Sequence, residues 1–181
     1  VATPQDLAAQ KLFSWSGDQA TTELWKAAGF QPVPLPATEI STALQTGLVT
    51  AVATSAQAAV LLQWYEHAPY LTDLPWAVLV GGIVVSERSW EKVPAELRGP
   101  LAEAARETGR KLSAQTRESA PEHVAAMVRR GLTVVPVDAA GRAEWERRVV
   151  EAYPKLRDGF VPADAFTAAL ALRDAWRARD G

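Results

Sequence analysis

Cysteine is absent from this 181-residue chain, histidine occurs twice and methionine once. Without thiols there are no disulfides, no thiolate nucleophile and no cysteine-based zinc site. An excess of charge is also missing. Nineteen Lys+Arg stand against 21 Asp+Glu, a formal net charge of −2, so the chain has no basic footprint for nucleic acid. Apolar runs long enough for a bilayer are lacking too. Ile40 to Tyr65 is uncharged over 26 residues, but nine of them are Ser, Thr or Gln and Gly47 interrupts the stretch. Leu74 to Ser86 is more apolar, yet its 13 residues fall short of a span. The opening residues Val1-Ala-Thr-Pro-Gln-Asp6 have neither the basic start nor the apolar core of a signal peptide. A chain that starts on Val is expected to be a processed product or an excised piece.

What is present is a core-forming composition. Apolar residues make up 48% of the chain, which suits one globular domain or two small ones. The first third alternates strand-like and helical stretches. Lys11 to Trp15 reads as a strand, Gly17-Asp18 as the turn into a helix from Ala20 to Ala28, and Gly29 as its stop. Gln31 to Leu35 is extended and Pro-containing, and Thr38 is placed to cap a helix carrying Ile40, Ala43 and Leu44 before Gly47. A buried strand over 48–53 and a helix over 55–67 follow.

This β-α-β-α-β-α order predicts an α/β fold with a mostly parallel sheet, ligands binding where strands end and helices begin. Trp76 to Val85 reads as a long apolar strand with a Gly81-Gly82 break. Pro94 marks the start of a long helix that Pro121 is expected to kink or interrupt before Gly131. A short strand over 132–137, a helix capped by Asp138 and a last helix opened by Pro162 complete the chain.

Catalytic constellations are thin. His67 and His123 are too few and too far apart in sequence for a metal cage, and no nucleophile elbow, P-loop or dinucleotide fingerprint occurs. Neither a catalytic residue nor a metal or cofactor is expected. Seven tryptophans are the unusual feature. Trp25, Trp64, Trp90, Trp145 and Trp176 occupy helical positions and are expected to pack the core. Trp15 ends a strand just before a turn, where an α/β sheet places its ligands.

One string is more specific. Gln31-Pro-Val-Pro-Leu-Pro-Ala-Thr-Glu-Ile-Ser-Thr-Ala-Leu-Gln-Thr-Gly-Leu-Val49 closely resembles a segment of the DctP-type solute-binding proteins of tripartite ATP-independent periplasmic (TRAP) transporters. Thr3-Pro4-x-Asp6-Leu7-x-x-x-Lys11 resembles that family's entry motif. Val84-Val-Ser-Glu-Arg-Ser-Trp90, followed by Val93-Pro-Ala-Glu-Leu97, resembles a later stretch.

The resemblance covers the whole chain but only the C-terminal part of the family's architecture, without most of the first lobe. It implies a periplasmic receptor that closes on a small organic solute and delivers it to the TRAP membrane subunits. Residues 1–75 would form the second lobe, 76–131 the hinge strand and long bracing helix, and 132–181 the strand and helices packing back on the lobe.

Two departures bear on the ligand. Where the family carries an arginine, this chain has Phe13, which removes a bidentate partner for a carboxylate. An amide position after the next strand is Thr54. A cleft presenting Phe13, Trp15 and Trp76, with Thr54 and Gln57 as its polar groups, suits an apolar or aromatic solute. Phe13 facing the core is the competing reading, and a cation on the missing lobe could still take a carboxylate. Glu39 is expected to serve the helix dipole. With half its cleft walls missing, the chain should expose apolar surface that drives pairing between copies. A ligand-sensing or scaffolding module without a transport role, and a small α/β enzyme using Ser16 or Ser55 with His67, are the rival classes.

Overall fold

A computed structural model describes residues 1–76, 81–157 and 159–180. The chain divides into two compact units. One comprises Val1–Val52, Tyr70–Leu74 and Val134–Gly181, the other Ala53–Pro69 and Pro75–Thr133.

In the first unit, Thr3 caps a short helix α1 (Pro4–Ala8) through a reciprocal box with Asp6. Strand β1 (Lys11–Trp15) pairs in parallel with β2 (Gln31–Leu35), Lys11 opposite Gln31 and Trp15 opposite Leu35. Helix α2 (Gln19–Ala27) connects them, capped by Asp18 and ended at Gly29, whose φ of +86° is a conformation that glycine adopts without strain. Successive strand N–H groups point to opposite edges, and the Leu35 carbonyl faces β1, accepting from Ser16 N–H at 3.0 Å. Pro32 and Pro34 therefore occupy the positions whose missing N–H would have pointed away from β1. The prolines that make this segment look unlike a strand in sequence sit where a strand loses nothing by them, and they blunt its open edge.

The expected strand over 48–53 shrinks to one parallel bridge, Ala51 against Leu12, with Phe13 N–H donating to Ala51 O at 2.8 Å. The ladder fails to extend because the Thr50 hydroxyl takes the Lys11 N–H at 2.9 Å and the Lys11 carbonyl accepts from both Thr50 and Ala51. Thr38 does not cap: it lies inside a 3₁₀ turn, Ala37–Glu39, that runs directly into α3 (Ile40–Thr46) with no side-chain cap bond.

Side chains alternate across β1. Leu12 joins Leu7, Phe30 and Trp145 in the core, with Trp25, Val137 and Leu74 packed around them. Strands β3 (Tyr70–Asp73) and β4 (Thr133–Pro136) form a second pair. Asp138 caps α7 (Ala139–Leu156), accepting from Gly141 N–H at 2.7 Å. Helix α8 (Ala163–Asp180) packs through Phe166 on Tyr153, ring centroids 5.2 Å apart. Trp176 on α8 is 56% exposed, a correction to its expected core role, because the α8 turns facing Tyr153 are those of Phe166 and Arg173.

The second unit holds α4 (Ala56–Leu61), α5 (Glu87–Trp90) and the 34-residue α6 (Ala95–Val128). Pro121 does not interrupt α6, which runs unbroken through it. Arg117, whose carbonyl loses its partner, is exposed, so water can satisfy it. Ion pairs of Glu103 with Arg106 and Arg110, and of Glu107 with Lys111, decorate the helix. After α4 the chain turns at Gln63, with a left-handed φ of +56°, into a 3₁₀ turn Trp64–Glu66. That ends the helix expected over 55–67 well before His67. Of the expected strand from Trp76 to Val85, residues 77–80 lie outside the described residues. Gly81 to Val85 are not in a strand; Val84 is 92% exposed, and a strand needs a partner to satisfy its backbone.

Candidate functional site

The parallel pair β1–β2 has a chemically distinct carboxyl end. Phe13 and Trp15 project from the same face of β1, opposite to Leu12 and Ser14. Ser14 is buried and accepts from the Thr22 hydroxyl of α2 at 3.2 Å, which puts α2 on the other side. The two rings meet edge to face, centroids 5.3 Å apart and planes inclined by 72°. Their exposures differ sharply: Phe13 shows 7% of its surface and Trp15 58%. Phe13 is therefore the buried ring of the pair, and Trp15 the exposed one.

The chain leaves β1 through Ser16-Gly17-Asp18, where Asp18 N–H donates to Trp15 O at 3.1 Å. The Asp18 carboxylate accepts from Thr21 N–H at 3.0 Å, and the Thr21 hydroxyl and N–H hold its pKa below the ordinary value. From β2 the chain passes through Pro36 to Glu39, whose carboxylate makes no hydrogen bond or ion pair among the described residues. Glu39 thus does not cap α3. It lines a shallow groove of about 250 Å³ with Thr38, Thr42, Ala43, Thr46 and Leu48, in which it is the single charged side chain.

Thr54, Gln57 and Trp76 belong to the second unit, and Phe13 and Trp15 to the first. Thr54 and Gln57 are exposed around the start of α4, and Trp76 is 37% exposed. Ser55, a candidate nucleophile from sequence, caps α4 by accepting from Ala58 N–H at 3.2 Å. Neither group of three or more His, Asp or Glu able to hold a metal, nor a helix apolar and long enough to cross a membrane, occurs among the described residues.

Reading the sequence missed the Thr38–Leu48 groove. The signal available was the i, i+4 spacing of Thr42 and Thr46 along α3.

The profile of the family described as bacterial extracellular solute-binding protein, family 7, DctP, matches residues 1–158. A solute-binding protein of Sulfitobacter sp. strain NAS-14.1 is 29% identical over 109 residues, 60% of this chain and 33% of that protein. A TRAP periplasmic solute binding protein of Shewanella oneidensis, solved with bound succinate, matches with a TM-score of 0.79 at 22% identity, over 94% of this chain and 56% of that one. A counterpart from Desulfovibrio salexigens in complex with diglycerolphosphate gives a TM-score of 0.79 at 21% identity, over 99% of this chain and 56% of that one.

The chain accordingly spans a third of that sequence relative and little more than half of those solved proteins. The structural likenesses establish a periplasmic-binding-protein-like α/β fold. By the extent of the profile match, the chain belongs to the DctP family of bacterial extracellular solute-binding proteins.

Proposed function

We propose that this chain acts as the second lobe of an extracytoplasmic TRAP receptor, holding a small organic solute in the periplasm for the transporter's membrane subunits. Catalysis plays no part in this role. Residues 1–75 form the lobe, 76–131 the hinge and bracing helix, and 132–181 the return onto the lobe. The observation that carries the reading is the exposed Trp15 backed by Phe13 at the carboxyl end of a parallel sheet, within a chain of this family. With a ring where the resemblance places a guanidinium, the favoured guests are apolar or aromatic.

A first lobe would supply the opposing wall. Its other role is to cover apolar surface in the second unit: Leu97, Leu101 and Leu112 of α6 are exposed, as are Ile83, Val84 and Val85. Residues 83–85 would then find the strand partner they lack. Left open, the same surface drives association between copies.

The test begins with the coding sequence upstream of Val1, which should encode a secretory signal and an α/β lobe. Calorimetry on that longer product should then show much tighter solute binding than the 181-residue chain, and a Trp15→Ala variant should weaken it. Tight binding by the 181-residue chain alone, or an unrelated upstream domain, would overturn the proposal.

A further inference from the structure

The first unit is electrically polarised along its strands. Gly29 ends α2 just ahead of β2, so the last turn of α2 lies at the amino ends of the strands. Four cations gather at that end. Lys11 Nζ donates to Gly47 O at 2.9 Å, Arg148 to Ala28 O at 2.7 Å and Lys155 to Ala27 O at 2.8 Å, while Lys26 pairs with Glu23 at 3.1 Å. Lys11, Arg148 and Lys155 meet carbonyls at helix C-termini, where positive charge is favoured, and Lys26 stands in the last turn of α2; Glu151 also pairs with Arg148 at 3.5 Å.

The opposite end is different. The connections 16–18 and 36–39, which leave Trp15 and Leu35, contain no Lys or Arg, and their only ionisable groups are the carboxylates Asp18 and Glu39. Asp18 is held ionised by its Thr21 contacts, with part of its charge offset by the start of α2. Glu39 has no partner among the described residues to offset it. Trp15, whose indole is exposed, ends β1 at this same end of the sheet, and an indole ring face attracts cations.

We propose that this end of the sheet selects a positively charged organic solute, an ammonium or amidinium carried on an apolar or aromatic frame, over organic anions. The succinate and diglycerolphosphate held by the two solved relatives are both anions, so the preference inferred here is the reverse of theirs. The inference rests on the site reading above and adds the sign of the ligand's charge.

Three probes that share one ring separate the two: phenethylammonium, 2-phenylethanol and phenylacetate. Each is titrated into the ¹⁵N-labelled 181-residue chain, and the readout is the Trp15 indole N–H resonance, assigned by its loss in Trp15→Phe. Binding to a half-open face is expected near the millimolar range. Phenethylammonium should bind about fivefold more tightly than phenylacetate at low salt, with the alcohol between them, and the ratio should shrink as salt rises.

Asp18→Asn, which keeps a capping oxygen, and Glu39→Gln should each narrow that ratio. Phenylacetate binding at Trp15 as tightly as phenethylammonium would overturn the charge preference and leave the site standing. If none of the three moved the Trp15 resonance at about 10 mM, the site reading itself would fall and the preference with it.

Discussion

Trp145 offers a quantitative test of how the first unit is held together. Its indole is 6% exposed in the core beside Leu7, Leu12 and Phe30, and its Nε1–H donates to the Ala2 carbonyl at 2.9 Å. Trp145→Phe keeps a ring in the core but removes that donor. The lost hydrogen bond costs about 1 kcal/mol and the missing ring atoms about 1–2 kcal/mol more, so the variant should lose about 2–3 kcal/mol. Trp145→Ala should lose about 3–5 kcal/mol.

For a chain of this length the phenylalanine variant corresponds to a Tm about 4–12 °C lower. Urea unfolding should show the same loss as a lower midpoint with an unchanged slope. A second readout is local. Ala2 and Thr3 N–H both donate to Asp6 Oδ2, at 2.8 and 2.9 Å, and the Thr72 hydroxyl donates to Val1 O at 2.7 Å. Releasing Ala2 from Trp145 should speed amide hydrogen exchange at Ala2 and Thr3. Thr72→Val should do the same, and the two variants should combine non-additively because they anchor one short segment. A Trp145→Phe protein within about 0.5 kcal/mol of the parent, with exchange unchanged at residues 2 and 3, would refute this account.

Gly29→Ala should cost about 1–2 kcal/mol for its φ of +86°, plus the displacement of Arg148, whose Nη2 lies 3.1 Å from the added Cβ. Gly47→Ala, at φ +69° with nothing within 4 Å, should cost the backbone part alone, and urea midpoints compare the two. Asp6 has its pKa lowered by backbone N–H bonds from Ala2 and Thr3, and Asp18 by Thr21, both from an ordinary value of 3.8. A depressed folded-state pKa gives stability that is complete above the unfolded value and lost as pH falls through the folded one. Circular dichroism should therefore show destabilisation beginning below about pH 4, and a flatter profile for Asp6→Asn/Asp18→Asn. Replacing Pro32 and Pro34 by Val restores two outward N–H groups on an open strand edge, and light scattering should reveal concentration-dependent association that the parent edge does not support.

Where a residue's own chemistry sets the backbone, sequence was enough. Asp18 and Asp138 cap helices through oxygens two or three atoms from their own backbone, and Gly29 and Gly131 stop helices because a positive φ suits glycine. Lys11 to Trp15 likewise reads as a strand in sequence, with Trp15 at its end just before the Gly17 turn. Other expectations depended on partners far along the chain. Whether residues 48–53 extend as a strand turned on the Thr50 hydroxyl capturing the Lys11 N–H, 39 positions away in sequence. Pro121 could be absorbed in α6 because its surroundings are open to water, and the prolines of β2 could be tolerated because of the edge they face.

The same divide runs through the site. That a phenylalanine stands where the resemblance places a guanidinium could be read by setting Lys11-Leu12-Phe13 against the family's motif. Which ring would be buried, and which charges would gather at each end of the sheet, could not. Those follow from the pairing of β1 with β2 and from the return of α7 onto α2, where Arg148 and Lys155 reach carbonyls 120 and 128 positions away. Burial and electric field arise from everything that surrounds a group, and local chain chemistry carries no record of neighbours brought there by folding.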